Sequence, residues 1–327
     1  MLRDSFGRQI RDLRISVTDR CNFKCVYCKS ARSMHYQERD KILTFEEIER
    51  LARIMLEMGI RKLRVTGGEP MLRRDVEQLI GRLAALPHLE DLALTTNGFN
   101  LYEKADQLKQ LGLSRVTISL DSLRRDRFEK MTRSRDFDKV IQSIGAAKQA
   151  GLDPVKINCV AVRGFNDDEI LDFAEMARQL DLTVRFIEFM PLDEDEGWTR
   201  QQVYTGAEVL EQLQSRYIMK PRGLSHPSQT ARNYDLPGGR GRIGLIMPVS
   251  QPFCGACSRI RLTADGKIRT CLFSLREHNI KSLLRQGGTD DDLREFILQT
   301  VARKEERHHI NDAGFVPPSR SMSYIGG

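Results

Sequence analysis

Two groups of cysteines, near opposite ends of the chain, are the residues best suited to chemistry. The first group is Cys21, Cys25 and Cys28, in the pattern C-x3-C-x2-C. Thiolates bind soft metals, including zinc and the iron of iron–sulfur clusters. Three ligands in one loop leave one corner of a cubane cluster without a protein ligand, and catalytic metal sites keep such an open position. The spacing therefore predicts a catalytic iron–sulfur cluster, and a zinc knuckle completed by a distant fourth ligand is the alternative.

The second group, Cys254, Cys257 and Cys271, has the pattern C-x2-C-x13-C. It again offers three thiolates and no fourth, which indicates a second cluster whose open iron could bind a substrate directly. A structural zinc site completed by a histidine is the alternative, because the chain has six histidines. The remaining cysteine, Cys159, lies alone in an apolar segment, where we expect a small buried hydrophobic residue.

A glycine turn, Thr66-Gly67-Gly68-Glu69-Pro70, follows a strand-like segment. Adjacent glycines allow the backbone to approach a neighbouring group closely, because they carry no Cβ. Taken alone, an ordinary turn explains this segment as well as a ligand-binding turn does.

The elements that must position these residues alternate between short apolar runs and helical patterns from residue 10 to about residue 190. The apolar runs are rich in Val, Ile and Thr without strict alternation, which is typical of parallel strands covered on both faces. They span residues 13–18, 62–66, 91–96, 115–120, 155–162 and 184–190. Between them, Thr44 with Glu47 forms a capping box and Gly59 ends the helix, and Asn166 with Glu169 predicts a second helix start of the same kind. The pattern predicts an α/β fold, an incomplete (β/α) barrel of about six βα units.

We place a domain division near residue 220. Residues 1–220 would form the partial barrel, and residues 221–327 a small C-terminal α+β region that carries the second cysteine group and closes the barrel. Residues 221–241 are rich in proline and glycine and predict a long connector. Asp265-Gly266 is a turn signal between two strand-like runs, and a polar helix is expected at about 289–306.

The composition places the chain among globular proteins, since 40% of its 327 residues are hydrophobic and 30% are charged. No apolar run approaches the roughly 20 residues that cross a bilayer, and residues 1–14 lack the apolar core of a signal peptide. We therefore expect a cytoplasmic protein with no membrane partner. The net charge of +7 is spread along the chain rather than gathered in a patch, so we expect no nucleic-acid partner. A solvated basic surface and a basic pocket for a small polyanion both fit this charge.

The first cysteine group, with the aromatic Tyr27 before its last cysteine, resembles the motif of the radical S-adenosylmethionine superfamily. The position also agrees, because barrel active sites lie at the carboxyl ends of strands and this group follows the first strand. The resemblance implies a [4Fe-4S] cluster whose open iron chelates the amino and carboxylate groups of S-adenosylmethionine. It implies that one electron, from a separate donor, then splits the sulfonium and releases a 5′-deoxyadenosyl radical. The glycine turn is similar to the superfamily's motif for the methionyl amino group.

The two cysteine groups together make the whole chain resemble the GTP 3′,8-cyclase family, which begins molybdenum cofactor biosynthesis. The matching stretches are Asp12–Arg14, Ser16–Phe23, Leu94–Gly98, Ser119–Asp121, Arg185–Met190, Cys257–Leu262 and Gly326–Gly327. The resemblance implies a lyase with a second [4Fe-4S] cluster that binds the guanine base of GTP. Hydrogen abstraction from ribose C3′ and attack on guanine C8 would give a cyclised nucleotide. A separate cyclic pyranopterin-forming enzyme would use that product, and the family suggests a homodimer.

The same resemblance implies residue roles. Both cysteine groups would be metal ligands, and the S-adenosylmethionine contacts would be Tyr27, Gly68, Ser119 and Met190. The GTP contacts would be Arg14, Arg64, Thr95, Lys156, Arg259, Ile260 and Arg261. The catalytic residues would be Arg14, Arg259, Arg261, Gly326 and Gly327.

Physical chemistry supports several of these roles, because guanidinium groups bind phosphates without titrating. Arg14, Arg64 and Lys156 lie in strand-like runs, where an inward charge is unfavourable unless it meets an anion. Two alternatives stay open. One is a radical enzyme with an auxiliary cluster that acts on a peptide, although such enzymes usually carry more C-terminal cysteines. The other is a zinc-bearing nucleic-acid or scaffold protein that uses the positive charge.

Overall fold

The computed structural model describes residues 1–29, 36–192 and 197–326. In these ranges the strands are β1 Asp12–Ser16, β2 Lys62–Thr66, β3 Asp91–Thr96, β4 Arg115–Ser119, β5 Lys156–Ala161, β6 Thr183–Glu188, β7 Lys220–Pro221, β8 Arg232–Asp235, β9 Arg242–Ile246, β10 Arg259–Leu262, β11 Lys267–Arg269 and β12 His278–Asn279. The helices are α1 Phe45–Glu57, α2 Val76–Ala84, α3 Ala105–Gln110, α4 Arg125–Thr132, α5 Phe137–Gln149, α6 Ile170–Leu180, α7 Gly206–Gln214, α8 Ile280–Arg285, α9 Asp290–Ala302 and α10 Met322–Ile325. None of these helices is long and apolar enough to span a bilayer.

The strands form one sheet in the order β12-β11-β10-β1-β2-β3-β4-β5-β6-β9-β8-β7. The six predicted strands are confirmed as β1 to β6, and each pairs in parallel with the next. Two further parallel strands come from the C-terminal part of the chain, because β10 pairs with β1 and β9 pairs with β6. The predicted partial barrel is therefore confirmed, with eight parallel strands at its centre instead of six.

The C-terminal part extends both edges of the sheet with antiparallel strands. The predicted turn at Asp265-Gly266 is confirmed, because it joins β10 to β11 and Gly266 has φ 76°. The predicted connector at 221–241 is in part wrong, since β8 lies within it and pairs with β9. The domain division near residue 220 stays a prediction.

The helices cover the outer face of the sheet and make the hydrophobic core with it. In α1 the predicted capping box is confirmed, because the Glu47 N–H donates to Thr44 Oγ1 at 3.2 Å and the Thr44 N–H to Glu47 Oε2 at 2.8 Å. The buried residues of α1 recur at helical spacing, with Ile48, Leu51 and Met55 fully enclosed. Amphipathic helices of this kind hold the parallel strands in place.

The predicted helix start at Asn166 is confirmed, because a 3-10 turn begins directly after it, but the predicted cap by its side chain is wrong. Its side chain accepts a hydrogen bond from the Val162 N–H at 2.8 Å and donates to the carbonyls of Asp121 and Val160 at 2.7 and 2.9 Å. The residue therefore fastens the end of β5, and α6 begins only after a 3-10 turn at Asp167–Glu169.

Candidate active site

The inner face of the curved sheet encloses a cavity of about 530 Å³, a volume suited to a nucleotide-sized ligand. Basic side chains from neighbouring strands line it, because the parallel register places them side by side. Arg14 on β1 lies opposite Arg64 on β2 and Arg261 on β10. The basic residues that line it include Arg14, Arg64, Arg115, Lys156, Arg185, Arg259 and Arg261.

These cations destabilise one another's charged forms. Burial, followed by the charges of Arg185, Arg115 and Arg64, lowers the pKa of Lys156 from 10.5 to about 6. Burial and the charge of Arg259 lower the pKa of Arg14 to about 10. So many cations in one cavity are expected only where an anion compensates them.

Several polar atoms in the cavity have no hydrogen-bond partner. They include two donors, Arg115 Nη1 and Arg185 Nε, and one acceptor, Asn158 Oδ1, and each is buried. Buried polar groups are normally paired, so unpaired donors around a basic cavity are the arrangement expected of a polyanion site. Arg64 is positioned differently, since it donates to Thr95 Oγ1 at 2.9 Å and to Thr117 Oγ1 at 3.2 Å. The predicted residue Thr95 thus lines the cavity and holds an arginine in it.

The first cysteine group lies in the loop after β1, and the glycine turn packs against that loop. The Gly68 N–H donates to the Thr18 carbonyl at 2.7 Å, and a Cβ on Gly68 would lie 2.2 Å from the Arg20 carbonyl oxygen. Only glycine therefore fits there, and the close approach that the sequence predicted is made to the cysteine loop itself. This contact sets the turn beside Cys21, where the resemblance places S-adenosylmethionine.

Glu69 in the glycine turn is a buried carboxylate. It accepts hydrogen bonds from Thr96 Oγ1 at 2.7 Å, from the Asn97 N–H at 2.6 Å and from the Met71 N–H at 3.0 Å. Burial nevertheless raises its pKa from 4.5 to about 7. A cationic ligand such as an amino group would stabilise its charged form.

Tyr27 is fixed by a buried aspartate. Its hydroxyl donates to Asp121 Oδ2 at 2.6 Å, and Asp121 Oδ1 accepts from the Val160 N–H at 2.8 Å. Burial raises the pKa of Asp121 from 3.8 to about 6. Ser119, at the end of β4, is half-buried two residues before Asp121, and Met190 lines the cavity.

The second cysteine group lines the same cavity, with all three of its members. Arg259 Nη2 lies 3.4 Å from Cys257 Sγ. Burial raises the pKa of Cys257, but the charges of Arg259 and Lys304 outweigh it and leave that pKa at about 7. Burial raises the pKa of Cys254 and of Cys271. Cys257 is therefore the member of this group that most readily becomes a thiolate.

A buried lysine joins the two segments that carry this group. Lys304 Nζ donates to the Arg259 carbonyl at 3.1 Å and to the Thr270 carbonyl, and the residue is 3% exposed. Arg8 adds a second clamp, because its guanidinium donates to the Cys254 carbonyl at 2.9 Å and to the Glu306 carbonyl at 2.7 Å. The segments that carry the three cysteines are thus held by residues near both ends of the chain.

Both cysteine groups fit iron–sulfur clusters by their donor set, since each presents three thiols and neighbouring cations or amides. No three His, Cys, Asp or Glu side chains in the described ranges are close enough together to hold a single metal ion. Cys159 is buried in the core, as predicted.

The C-terminal tail reaches the cavity wall. The Gly326 carbonyl accepts a hydrogen bond from Arg261, and a Cβ on Gly326 would lie 3.0 Å from Thr66 Cγ2. Gly326 has φ 79°, a left-handed conformation that favours glycine. The predicted residue Gly327 lies outside the described residues.

Sequence reasoning missed some of the residues in this site. Arg115, Asn158 and Arg185 line the cavity although we predicted no role for them, and so does His308, whose ring nitrogens are buried without a partner. Strand alternation could have indicated Arg185, but not which strands would face the same cavity. The predicted GTP contact Ile260 has its side chain in the hydrophobic core, so any ligand contact there would come from its backbone.

A partial barrel with three cysteines after its first strand defines the radical S-adenosylmethionine class. A model of the radical SAM superfamily matches residues 15–177, and a model described as Molybdenum Cofactor Synthesis C matches residues 182–310. In the Streptococcus suis protein SuiB, bound to its precursor peptide SuiA, the same fold is found with a TM-score of 0.62. That similarity covers 92% of this chain and 72% of SuiB at 14% identity, so it shows the fold alone.

Relatives with higher sequence identity have a more specific name. The GTP 3′,8-cyclase of Moorella thermoacetica is 45% identical over 100% of both chains, and that of Syntrophomonas wolfei is 43% identical over 99% of both. The chain therefore belongs to the GTP 3′,8-cyclase family. Membership of the radical SAM superfamily implies one [4Fe-4S] cluster and S-adenosylmethionine as cofactors. The peptide-modifying alternative is not favoured by these full-length relatives.

Proposed function

We propose that this enzyme converts GTP into 3′,8-cyclised GTP, the first step of molybdenum cofactor biosynthesis. The observation that carries the proposal is a single cavity whose lining includes both Cys254, Cys257 and Cys271 and the cations of the parallel strands. A nucleoside triphosphate fits this lining, since its base would lie at the cysteines and its phosphates among the cations.

The residues of the first site have the chemistry to bind S-adenosylmethionine beside a cluster. Cys21, Cys25 and Cys28 would hold a [4Fe-4S] cluster, which with one electron and S-adenosylmethionine supplies a 5′-deoxyadenosyl radical. Glu69 would accept hydrogen bonds from the cofactor's amino group, because a positive charge beside this buried carboxylate would favour its charged form. Tyr27, whose hydroxyl is held by Asp121, would help to orient the cofactor.

The second cysteine group would hold a second [4Fe-4S] cluster with an open iron for the guanine base. Three thiols would leave one iron of the cluster without a cysteine ligand, and Arg259 beside Cys257 would offset the negative charge of the thiolates. Arg259 and Arg261 lie two residues apart on β10, so they share one face and point toward the same ligand.

The triphosphate would bind to Arg14, Arg64 and Lys156, with Arg115 and Arg185 added from the structure. Guanidinium groups form bidentate hydrogen bonds to phosphate oxygens, and the unpaired Nε of Arg185 is a donor for such a bond. Anchoring both ends of GTP holds the ribose between the two cysteine groups. Positioning of this kind presents C3′ to the radical and C8 to the sugar.

The tail completes the site. Arg261 donates to the Gly326 carbonyl, so Gly326 helps to orient an arginine that we assign to the substrate. We infer the same kind of role for Gly327. Met322 of the tail lines the cavity, and a tail in this place would limit the entry of water and so protect a radical from side reactions.

We further propose a cytoplasmic enzyme with a separate one-electron donor and no nucleic-acid or membrane partner. A downstream pyranopterin-forming enzyme would consume the cyclised nucleotide, and the enzyme would act as a homodimer. The division into residues 1–220 and 221–327 belongs to the same proposal.

The test is 5′-deoxyadenosine release by the anaerobically reconstituted and reduced protein, with GTP, ATP or no nucleotide. Release that rises with GTP alone, together with a new nucleotide product, is the expected result. Equal release in all three samples would leave a radical enzyme with another substrate. No release from protein that holds iron at both sites would refute the proposal.

The second cluster has its own test. The Cys257→Ser variant should lose GTP conversion and part of its iron while the first cluster still assembles. Cys159→Ala is the matched control, because Cys159 is a buried cysteine outside both groups. Unchanged cyclisation by Cys257→Ser would remove the second cluster from the proposal.

A further inference from the structure

Lys29, which directly follows the last member of the first cysteine group, is a buried cation. It is 2% exposed, and within the described ranges its Nζ has no hydrogen-bond partner. Lysine is almost never fully buried unless it is paired, because a buried ammonium is unfavourable without an anion that compensates its charge. No step of the proposed reaction uses this side chain.

Two aromatic rings enclose the ammonium. Lys29 Nζ lies 3.9 Å from the centroid of the Tyr36 ring and 5.9 Å from that of the Tyr324 ring, and both tyrosines are half-buried. Tyr324 belongs to α10, so the C-terminal tail helps to shield this cation from solvent. An aromatic ring attracts a cation through its face but supplies no counter-charge. The rings therefore leave the positive charge in need of an anion.

The backbone of Lys29 is fixed by the cysteine loop. Its N–H donates to the Cys25 carbonyl at 3.0 Å, and the Cys28 N–H donates to the same carbonyl at 2.9 Å. The Lys29 carbonyl accepts a hydrogen bond from Arg133 Nη1 at 3.3 Å. The tight turn that positions Cys25 and Cys28 thus also positions the lysine.

The charge of this ammonium acts on the thiols of the loop. Burial, followed by the charge of Glu69, raises the pKa of Cys21 from 9.0 to about 11, and the charge of Lys29 opposes this rise. The Asn97 side chain acts in the same direction as Lys29, and its Nδ2 lies 3.9 Å from Cys21 Sγ. Thiolates in this loop are negative charges that Lys29 is placed to stabilise.

We propose that Lys29 raises the reduction potential of the [4Fe-4S] cluster held by the first cysteine group. This inference rests on the cluster and cofactor of the proposed function, and not on GTP as the substrate. Reduction adds one electron to the cluster and moves no proton at the lysine, so the site gains one negative charge beside a fixed positive one. A buried cation is screened little by solvent and therefore favours the reduced cluster.

The experiment is a redox titration of the anaerobically reconstituted full-length protein, followed by EPR without S-adenosylmethionine. The signal of the first cluster is identified beforehand as the one that added S-adenosylmethionine changes. Lys29→Met replaces the ammonium with an uncharged side chain of similar length, and Lys29→Arg keeps the charge. Lys130→Met is the matched control, because Lys130 is 70% exposed and lies on α4, whose Met131 carbonyl binds the same loop.

The ratio of reduced to oxidised first cluster is compared at the midpoint potential of the parent. It should fall by about 10-fold or more in Lys29→Met. Lys29→Arg and Lys130→Met should keep the parent's ratio, since the first retains the charge and solvent screens the second. An unchanged ratio in Lys29→Met would overturn the proposal. An unchanged ratio with weaker binding of S-adenosylmethionine would assign the ammonium to the cofactor's carboxylate instead.

Lys29→Arg decides the question if Lys29→Met does not assemble the first cluster. Assembly in Lys29→Arg at the parent's ratio would then show that the site requires the charge, and a missing cluster in both variants would overturn the proposal. The readout is a potential rather than turnover, so it holds even if GTP proves not to be the substrate.

Discussion

Lys156 makes triphosphate binding dependent on pH. Its pKa in the empty cavity is about 6, because of burial and the charges of Arg185, Arg115 and Arg64. A bound triphosphate reverses this balance by placing negative charge beside the ammonium, which raises the pKa toward its ordinary value of 10.5. At pH 8 the free enzyme therefore holds Lys156 almost entirely neutral, and the complex holds it almost entirely charged.

The size of the effect follows from this shift. Binding at pH 8 should take up about one proton, and the dissociation constant should rise by up to about tenfold per pH unit between pH 7 and pH 9. The same shift affects stability. Between pH 6 and pH 10.5 the unfolded chain binds a proton that the folded one does not, so the free energy of unfolding rises with pH. At pH 8 the neutral lysine lowers the stability by about 3 kcal/mol relative to a lysine with an ordinary pKa.

The assay is anaerobic isothermal titration calorimetry with GTP and no reductant, in two buffers of different ionisation enthalpy at pH 8. Lys156→Met should bind GTP more weakly and take up no proton. Arg14→Met is the matched control: with a pKa of about 10 Arg14 stays charged at pH 8, and it is not among the charges that lower the pKa of Lys156, so its loss should weaken binding and keep the proton uptake. Uptake by Lys156→Met equal to that of the parent, or none by the parent, would refute this reasoning.

Two further predictions concern the supports of the site. Lys304→Met leaves the Arg259 and Thr270 carbonyls without their buried donor. In urea denaturation of the apoprotein, the free energy of unfolding should therefore fall by about 2–6 kcal/mol. The reconstituted variant should also retain less iron. An unchanged midpoint would contradict this, and Lys109→Met is the control on an exposed lysine. Arg320 binds Asp265 at 2.9 and 3.0 Å and, with Thr263, holds the pKa of that carboxyl at about 2 against the effect of burial. Arg320→Gln should therefore have a lower free energy of unfolding than the parent above pH 4, and this difference should shrink as the pH falls toward 2. Hydrogen exchange should be faster in the tail. A difference in stability that is the same at all pH values would argue against the ion pair.

Local patterns in the sequence predicted much of the barrel. The capping box at Thr44 and Glu47 is specified by four consecutive residues, and each of the strands β1 to β6 is specified by a short apolar run. Such features depend on short-range geometry, which the local sequence specifies. The structure confirms them for that reason. The cap predicted at Asn166 failed because its side chain reaches Asp121, 45 residues away, and that contact was not visible in the local pattern.

The sequence by itself determined the two cysteine groups, the glycine turn and the six strands that precede the helices, since each rests on spacing along one short segment. Tertiary structure alone decided that Arg115, Asn158 and Arg185 share a cavity with the second cysteine group, and that Lys304 joins Arg259 to Thr270. The reason is physical. Alternation along a strand indicates which residues share a face, but strand register, the curvature of the sheet and the return of the C-terminal strands to β1 and β6 determine which faces meet.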